Sequence, residues 1–396
     1  MRRLLVFISA IVFFDVAFYA AIAPLLPDYV DEFGLSHAEA GLLAASYAAG
    51  TLAASLPAGF VAGRVGPRRT VVAGLLLLGG SSIVFGFAGS VVLLDVARFG
   101  QGISGALIWA GALTWLISST PPERRGSVIG TALGTAVAGA LVGPVFGSVA
   151  VEVGTEAAFA GVSVISVILA GLAARLPAVE APQRQALGEV VSAMLSRPIV
   201  TATVFVAVPS LMFGAVEVLV PLRIDELGGG HAVIAAGFIA GAALEAGLAP
   251  LVGRYSDRIG RRAPFVAGIA ICALAMLAIA AAGALVPVLA ALILGSLGAG
   301  ICFTPALTTL SETAELSRLH QGFAAGLSNM AWAAGQTVGA LAGGAAASAA
   351  GYEAPSIAIA VLLVLTAAYA YRVLIPPLAR PPGEVLGADE IRPAAG

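Results

Sequence analysis

Between Arg3 and Asp28 the chain runs through an apolar stretch, Leu4 to Leu26, whose one charged residue is Asp15. If that stretch crosses a bilayer, a carboxylate near its centre costs roughly 2.5–3.5 kcal/mol on insertion scales, so its presence points to a site rather than to packing. Arg98, Glu217 and Glu245 also fall inside apolar runs, with Asp95 nearer the end of one. A guanidinium cannot discharge itself and must find acceptors. A carboxyl group in a poorly hydrated cavity can instead exchange its proton for a cation. For Arg98 two readings stand: a fixed partner for Asp95 at i−3 or for helix carbonyls, and coupling to proton sites. For Glu245 they are a proton carrier and a residue snorkelling near a helix end. Phe13, Phe14, Phe18 and Tyr19 flank Asp15, and Phe303 and Trp332 lie in later runs. A carboxylate with aromatic faces suits an organic ammonium ion, cation–π attraction adding ~0.5–2 kcal/mol per ring.

The elements that must position these groups are membrane helices. Of 396 residues 59% are hydrophobic and 11% charged, with a mean hydropathy of +1.00, which excludes an ordinary soluble domain. Runs long enough to span a bilayer fall at 4–27, 38–61, 69–89, 91–119, 126–151, 156–176, 198–221, 231–253, 263–282, 285–311, 321–348 and 353–375. The first is read as a spanning helix rather than a cleaved leader, because no small-residue cleavage site in a polar setting follows it. The fold class is thus an all-α membrane protein of twelve transmembrane helices.

All basic residues are Arg, as a GC-rich genome favours, and they orient the helices. Arg64, Arg68 and Arg69, then Arg124 and Arg125, Arg175, Arg184 and Arg197, Arg254, Arg258, Arg261 and Arg262, and Arg318 all occupy alternate loops. By the positive-inside rule these loops and both termini are cytoplasmic; Arg223 is the one base on the other side. The polar stretch from Pro177 to Arg197 divides the chain into an N-terminal six-helix half (1–176), a cytoplasmic linker (177–197) and a C-terminal six-helix half (198–375). A disordered cytoplasmic tail, 376–396, is expected to follow. The halves read as a duplication, since Gly59-x3-Gly63-Arg64-x-Gly66-x-Arg68 recurs 194 positions on as Gly253-x3-Asp257-Arg258-x-Gly260-x-Arg262. Such paired halves rock about a site near the midplane. Asp15 and Glu217, on the first helix of each half, are then expected to face one another across a central cavity.

Three motifs carry a resemblance. Gly253 to Arg262 resembles the G-x3-D-R-x-G-R-R loop signature of the major facilitator superfamily, and Arg98-Phe99-Gly100-Gln101-Gly102 resembles its R-x2-Q-G element. Gly139 to Gly147, with Gly143-Pro144, resembles the G-x3-G-P-x2-G signature of the drug:proton antiporter branch. Within that branch Asp15-x8-Pro24-x2-Pro27, Gly41-Leu42-Leu43, Val128 to Ser148, Glu217 and the stretch from Gly322 resemble the vesicular monoamine transporter group, and the resemblance covers most of the chain. Independently of the resemblance, Asp257 beside Arg258 can accept hydrogen bonds when the protein is closed inside and reads as a latch, whereas the first copy has Gly63 at the acidic position and leaves its gate to Arg64 and Arg68 with other partners. The resemblance aligns Tyr47 and Asn329 with a lysine and an aspartate of the monoamine group, a buried ion pair exchanged for two neutral residues expected within hydrogen-bonding reach. The group's acidic residue in helix 10 has no counterpart among Cys302, Phe303 and Thr304. Gly139, Gly143 and Pro144 read as close packing and a bend, of use at an interface between the halves.

The expected function is a secondary transporter, not an enzyme: a monomeric antiporter of the bacterial cytoplasmic membrane. It would export small hydrophobic or cationic, amine- or drug-like compounds against protons. Substrate contacts are expected from Asp15, Phe14, Phe18, Tyr19, Glu217, Phe303, Asn329 and Trp332, and proton coupling from Asp15, Glu217, Glu245 and Arg98. The proton gradient is the energy source and no cofactor is called for; lipid surrounds the chain and no nucleic acid is bound. His37, His231 and His320 are scattered and form no metal-ligand pattern. The alternatives are a proton-coupled nutrient (for example sugar) uptake carrier, against which the scarcity of Asn and Gln in the spans argues, and a non-transporting membrane sensor on the same scaffold.

Overall fold

The computed structural model describes residues 2–121, 124–179, 187–317, 319 and 321–374. Among them the first half contains α1 (Arg2–Ala20), α2 (Ile22–Phe33), α3 (His37–Val65), α4 (Pro67–Gly86), α5 (Val91–Ser118), α6 (Arg125–Val153) and α7 (Thr155–Arg175). A short α8 (Leu187–Met194) precedes α9 (Arg197–Glu226), α10 (His231–Ile259), α11 (Arg262–Ala281), α12 (Leu285–Leu316), α13 (Gln321–Ala350) and α14 (Glu353–Val373). Taking α1 and α2 as one span, eleven helices among the described residues are long and apolar enough to cross a membrane. The twelfth, α13, has 30 residues but is built largely of Ala and Gly, which lowers its hydropathy without shortening it. The tail at 376–396 and part of the linker lie outside the described residues.

One feature departs from the sequence reading. The first span breaks at Ala21 and resumes as α2, running to Phe33 instead of residue 27. Pro24 has no N–H for the carbonyl four residues back, at Ala20, so the ladder is interrupted there. Within the linker lies α8, whose Val190 and Met194, four apart, pack on the core of the second half.

The repeated loop signature has a backbone cause. Gly66 and Gly260 adopt φ of +91° and +87°, terminating α3 and α10 in a conformation that L side chains resist, and the next helix begins within two residues. Each half packs around its own helices, chiefly α3 and α4 on α5 and α1 on α6 in the first, α13 on α9 and α11 on α12 in the second. The halves meet mainly where α3 lies along α13, with further contact between α6 and α10. Small residues allow these approaches. A Cβ at Gly339 would overlap the Leu211 carbonyl of α9, and one at Gly102 the Tyr47 carbonyl of α3. Cys272 and Cys302 are buried free thiols at a similar contact between α11 and α12.

Candidate functional site

Asp15 is 2% exposed. Its Oδ2 accepts a hydrogen bond from the indole N–H of Trp109 on α5 at 3.0 Å, while Oδ1 has no partner. Gly105 makes room for this arrangement: a Cβ there would lie 2.5 Å from Tyr47 Oη and 3.4 Å from Asp15 Oδ1. Arg98, Gly102, Gly105 and Trp109 recur at i, i+4, i+7 and i+11, which makes them one stripe of α5 aimed at α1 and α3. A buried carboxylate with an open acceptor is a place for a proton or a cation.

Arg98 is also 2% exposed, and it does not pair with Asp95. Its Nη2 donates to the Tyr19 carbonyl at 2.9 Å, and Nη1 to the Phe18 carbonyl at 3.4 Å and to Gln101 Oε1 at 3.1 Å. Those carbonyls end α1, where the ladder is interrupted, the Phe18 carbonyl keeping a 3.4 Å bond from the Ala21 N–H, and the helix dipole is negative, so the guanidinium caps the half-helix. Its charge centre lies 4.9 Å from the ring of Tyr47. From the capped turn Tyr19 reaches across to the second half, where its hydroxyl donates to Glu217 Oε2 at 3.0 Å and accepts from Gln336 Nε2 at 2.8 Å. Asp15 and Glu217 are thus joined through one turn of α1, not by direct contact.

Two adjoining cavities share Tyr19, Trp109, Asn329 and Trp332 in their walls. The smaller, ≈ 270 Å³, is bounded by Asp15, Tyr47, Thr51 and Gly105. The larger, ≈ 590 Å³, holds Glu217 and Glu245 among Phe213, Phe238, Met276 and Phe303. Its walls are apolar apart from a few polar groups, as expected of a site for a lipophilic ligand. Glu245 sits mid-helix on α10 with its backbone against Gly300 of α12, so it faces the cavity and does not snorkel at a helix end. The Tyr19 ring stands 5.2 Å from Trp332 and 5.1 Å from Tyr47, giving the junction of the cavities aromatic walls.

Several expected contacts are placed otherwise. Phe14 and Phe18 stack on each other at 4.4 Å, and Phe18 on Phe146 of α6 at 4.9 Å; neither lines either of these two cavities. They lie about 100° around α1 from Asp15 and Tyr19, on the face turned to α6. Gly139 and Gly143 pack against Phe13, Ala17 and Ala20 of α1, within their own half and not against the other; Pro144 beside them lines the larger cavity. Arg68 Nη1 donates to the Leu176 carbonyl at 2.9 Å and the Ala174 carbonyl at 3.3 Å, capping α7 in the same half, while Arg64 and Arg258 are exposed. The Asp257 side chain lies outside the described residues.

Tyr47 and Asn329 border the same cavity but make no hydrogen bond to one another. Tyr47 instead serves Arg98, so the charge-restoring change is asymmetric. Tyr47→Lys should cost more folded protein than Asn329→Asp, because it sets an ammonium beside a guanidinium, and the double change should recover part of the loss. Thermal unfolding of the four proteins checks this; a double variant no better than Tyr47→Lys alone would show that the two positions are not coupled.

Trp109 and Gln336 were not singled out from sequence. The signal for Trp109 is its helical register with Arg98; Gln336 gives none, because its role depends on α13 meeting α1.

This architecture is that of the transporters built from two six-helix halves. The sequence profile of the Major Facilitator Superfamily matches residues 5–319 and 246–394, and the chain belongs to that family. Membership places it with membrane transporters rather than enzymes. An MFS-type transporter, ppzB, of Metarhizium rileyi is 30% identical over 124 residues, 30% of this chain and 26% of that protein. The quinolone resistance protein NorA of Staphylococcus aureus is 26% identical over 104 residues, 26% of each chain. The chain therefore matches about a quarter of the length of these curated relatives. Over nearly the whole fold, 94% of this chain and 96% of the other, it superposes with a TM-score of 0.72 and 15% identity on a bacterial homolog of the human lysosomal transporter Spinster, solved inward-facing and unoccupied.

Proposed function

We propose that the chain is a proton-coupled antiporter that exports small lipophilic or cationic compounds by alternating access. It would act as a monomer in a bacterial cytoplasmic membrane with both termini inside. The observation that carries this reading is the half-satisfied carboxylate of Asp15 on an aromatic-walled cavity. An ammonium group entering there gains charge pairing with Oδ1 and the faces of Tyr19, Tyr47 and Trp332; a proton on Asp15 removes the first of these and releases it. Glu217 is the second proton acceptor, linked to substrate through Tyr19, and Glu245 a third on the wall of the C-terminal half. Arg98 holds the broken end of α1 and so fixes where Asp15 and Tyr19 stand. The name of the S. aureus relatives, quinolone resistance protein, supports a drug-like substrate, and the apolar lining disfavours a polyhydroxyl one.

The halves are joined at the end opposite the Arg loops, where His37, Glu226, His231 and Tyr352 make contacts between them. Toward the Arg loops the cavity wall reaches Leu113, Leu307 and Ser311, about two turns from the helix ends. Leu251 and Tyr255 of α10 are exposed there. The α3–α13 seam continues to this end, where the rings of Phe60 and Phe323 stand 5.4 Å apart, so the polar contacts between the halves gather at the opposite face while an apolar one remains here. Proteoliposomes with an imposed pH gradient, screened with dyes, amines and antibiotics, test the proposal. Expected is efflux of at least one lipophilic amine that collapses when the gradient is dissipated; sugar uptake without amine flux would replace antiport by nutrient import.

A further inference from the structure

The closed end carries an arrangement that neither substrate binding nor proton antiport uses. His231 is the first residue of α10 and His37 the first of α3, 194 positions apart like the two copies of the loop signature. Each histidine reaches a carboxylate of the opposite half. His37 Nε2 lies 3.4 Å from Glu226 Oε1 at the end of α9, and His231 Nε2 lies 3.2 Å from Asp28 Oδ1 on α2. The contacts are thus reciprocal between the halves.

The two differ in what they ask of the imidazole. Around His37, Tyr352 Oη donates to Glu226 Oε1 at 2.7 Å and lies 3.1 Å from Nε2, so a neutral ring with its proton on Nε2 satisfies every partner. Around His231 no neutral ring does while Asp28 is ionised. Its Nδ1 is 2.9 Å from the Pro24 carbonyl, which can only accept, so Nδ1 must carry a proton. Nε2 then faces Asp28 with a bare lone pair unless it too is protonated. Pro24 and Asp28 belong to the first half and His231 to the second, so both bonds tie one half to the other.

The other charges around this contact are mostly negative. Asp31 and Glu32 of α2 and Asp225 of α9 surround Asp28, Glu226 lies beside His37, and Arg223 is the local base, bonded to Glu226 Oε2 at 3.0 Å. Ser148 of α6 adds a neutral hydrogen bond to the His231 carbonyl at 3.3 Å. Closing the face brings Asp225 of the second half toward Asp28 and Asp31 of the first, which a cation between them offsets. The positive end of α10 opposes an imidazolium at its first residue, but by a smaller, solvent-screened amount.

We propose that His231 is a protonation-dependent latch: its imidazolium form, bridging Pro24 and Asp28, holds the face opposite the Arg loops closed, and loss of that proton frees the face to open. The closed form binds one proton more than the open one. Acid on that side therefore favours closure and alkali favours opening. The inference draws on the proposed function only for the opening of this face.

Val92 and Val286, at the starts of α5 and α12, are 72% and 74% exposed on this end, and the native cysteines are buried. Nitroxides on Val92→Cys and Val286→Cys in the full chain, reconstituted without substrate, report the opening by pulsed electron resonance. The short-distance population should rise several-fold relative to the long one between about pH 8 and about pH 5.5, because closure and proton uptake at this contact are linked. His231→Gln should remove most of that response, and so should Asp28→Asn, which tests the latch from the other half should the first variant fold poorly. His37→Gln should leave most of it. A His231→Gln protein with the parent's pH response overturns the latch, and so does a single distance at every pH. The flux assay decides antiport independently of either result.

Discussion

Asp15→Asn should abolish export of cationic compounds while sparing neutral lipophilic ones. The asparagine amide keeps the size of the side chain and can still accept from the Trp109 indole, so the bond seen at Oδ2 survives. What disappears is the negative charge. A buried ammonium left without its counter-ion costs about 3–5 kcal/mol, a fall in cation affinity of roughly 10²- to 4 × 10³-fold. Binding of a cationic and a neutral dye to the purified protein checks the selectivity, and flux in proteoliposomes checks the function. Equal losses for both dyes would mean that the cavity collapsed and that charge pairing was not what was removed; unchanged cation export would falsify the assignment of Asp15 to substrate.

Glu217→Gln separates binding from coupling. The replacing amide has an oxygen where Tyr19 Oη donates, so the bridge from α1 to α9 and the Gln336 bond behind it can persist. Substrate binding and downhill exchange should therefore stay within a few-fold of the parent. Uphill, pH-driven export should fall by at least tenfold, because the amide takes up no proton and one coupled protonation is lost. Counterflow with equal pH on both sides, set against accumulation under a gradient, distinguishes the two. If accumulation persists, the coupling proton belongs to Glu245, which lines the same cavity from α10.

What could be read from the sequence was whatever depends on a residue and its near neighbours along the chain. Apolar runs long enough to span lipid fixed the helices to within a few residues at most ends, since in hydrocarbon every backbone group must be satisfied inside its own helix. The duplication followed from the 194-residue repeat, whose glycines terminate α3 and α10 in the same positive-φ conformation. Asp15, Glu217 and Glu245 stood out because an isolated charge in an apolar run is costly wherever the helix faces. Their partners were not legible, because a helix presents neighbours on several sides and only assembly decides which side meets which. Phe14 and Phe18, one residue before Asp15 and Tyr19, turn to α6, whereas the cavity is completed by Trp109 and Gln336 from distant helices. Arg98 was ambiguous until the break at Ala21 supplied the helix-end carbonyls it caps. The two histidines carried no pattern in the linear chain: Asp28 and His231 are 203 residues apart (231 − 28) and meet only because the halves close on each other. A contact between halves depends on their relative placement, which tertiary packing alone sets.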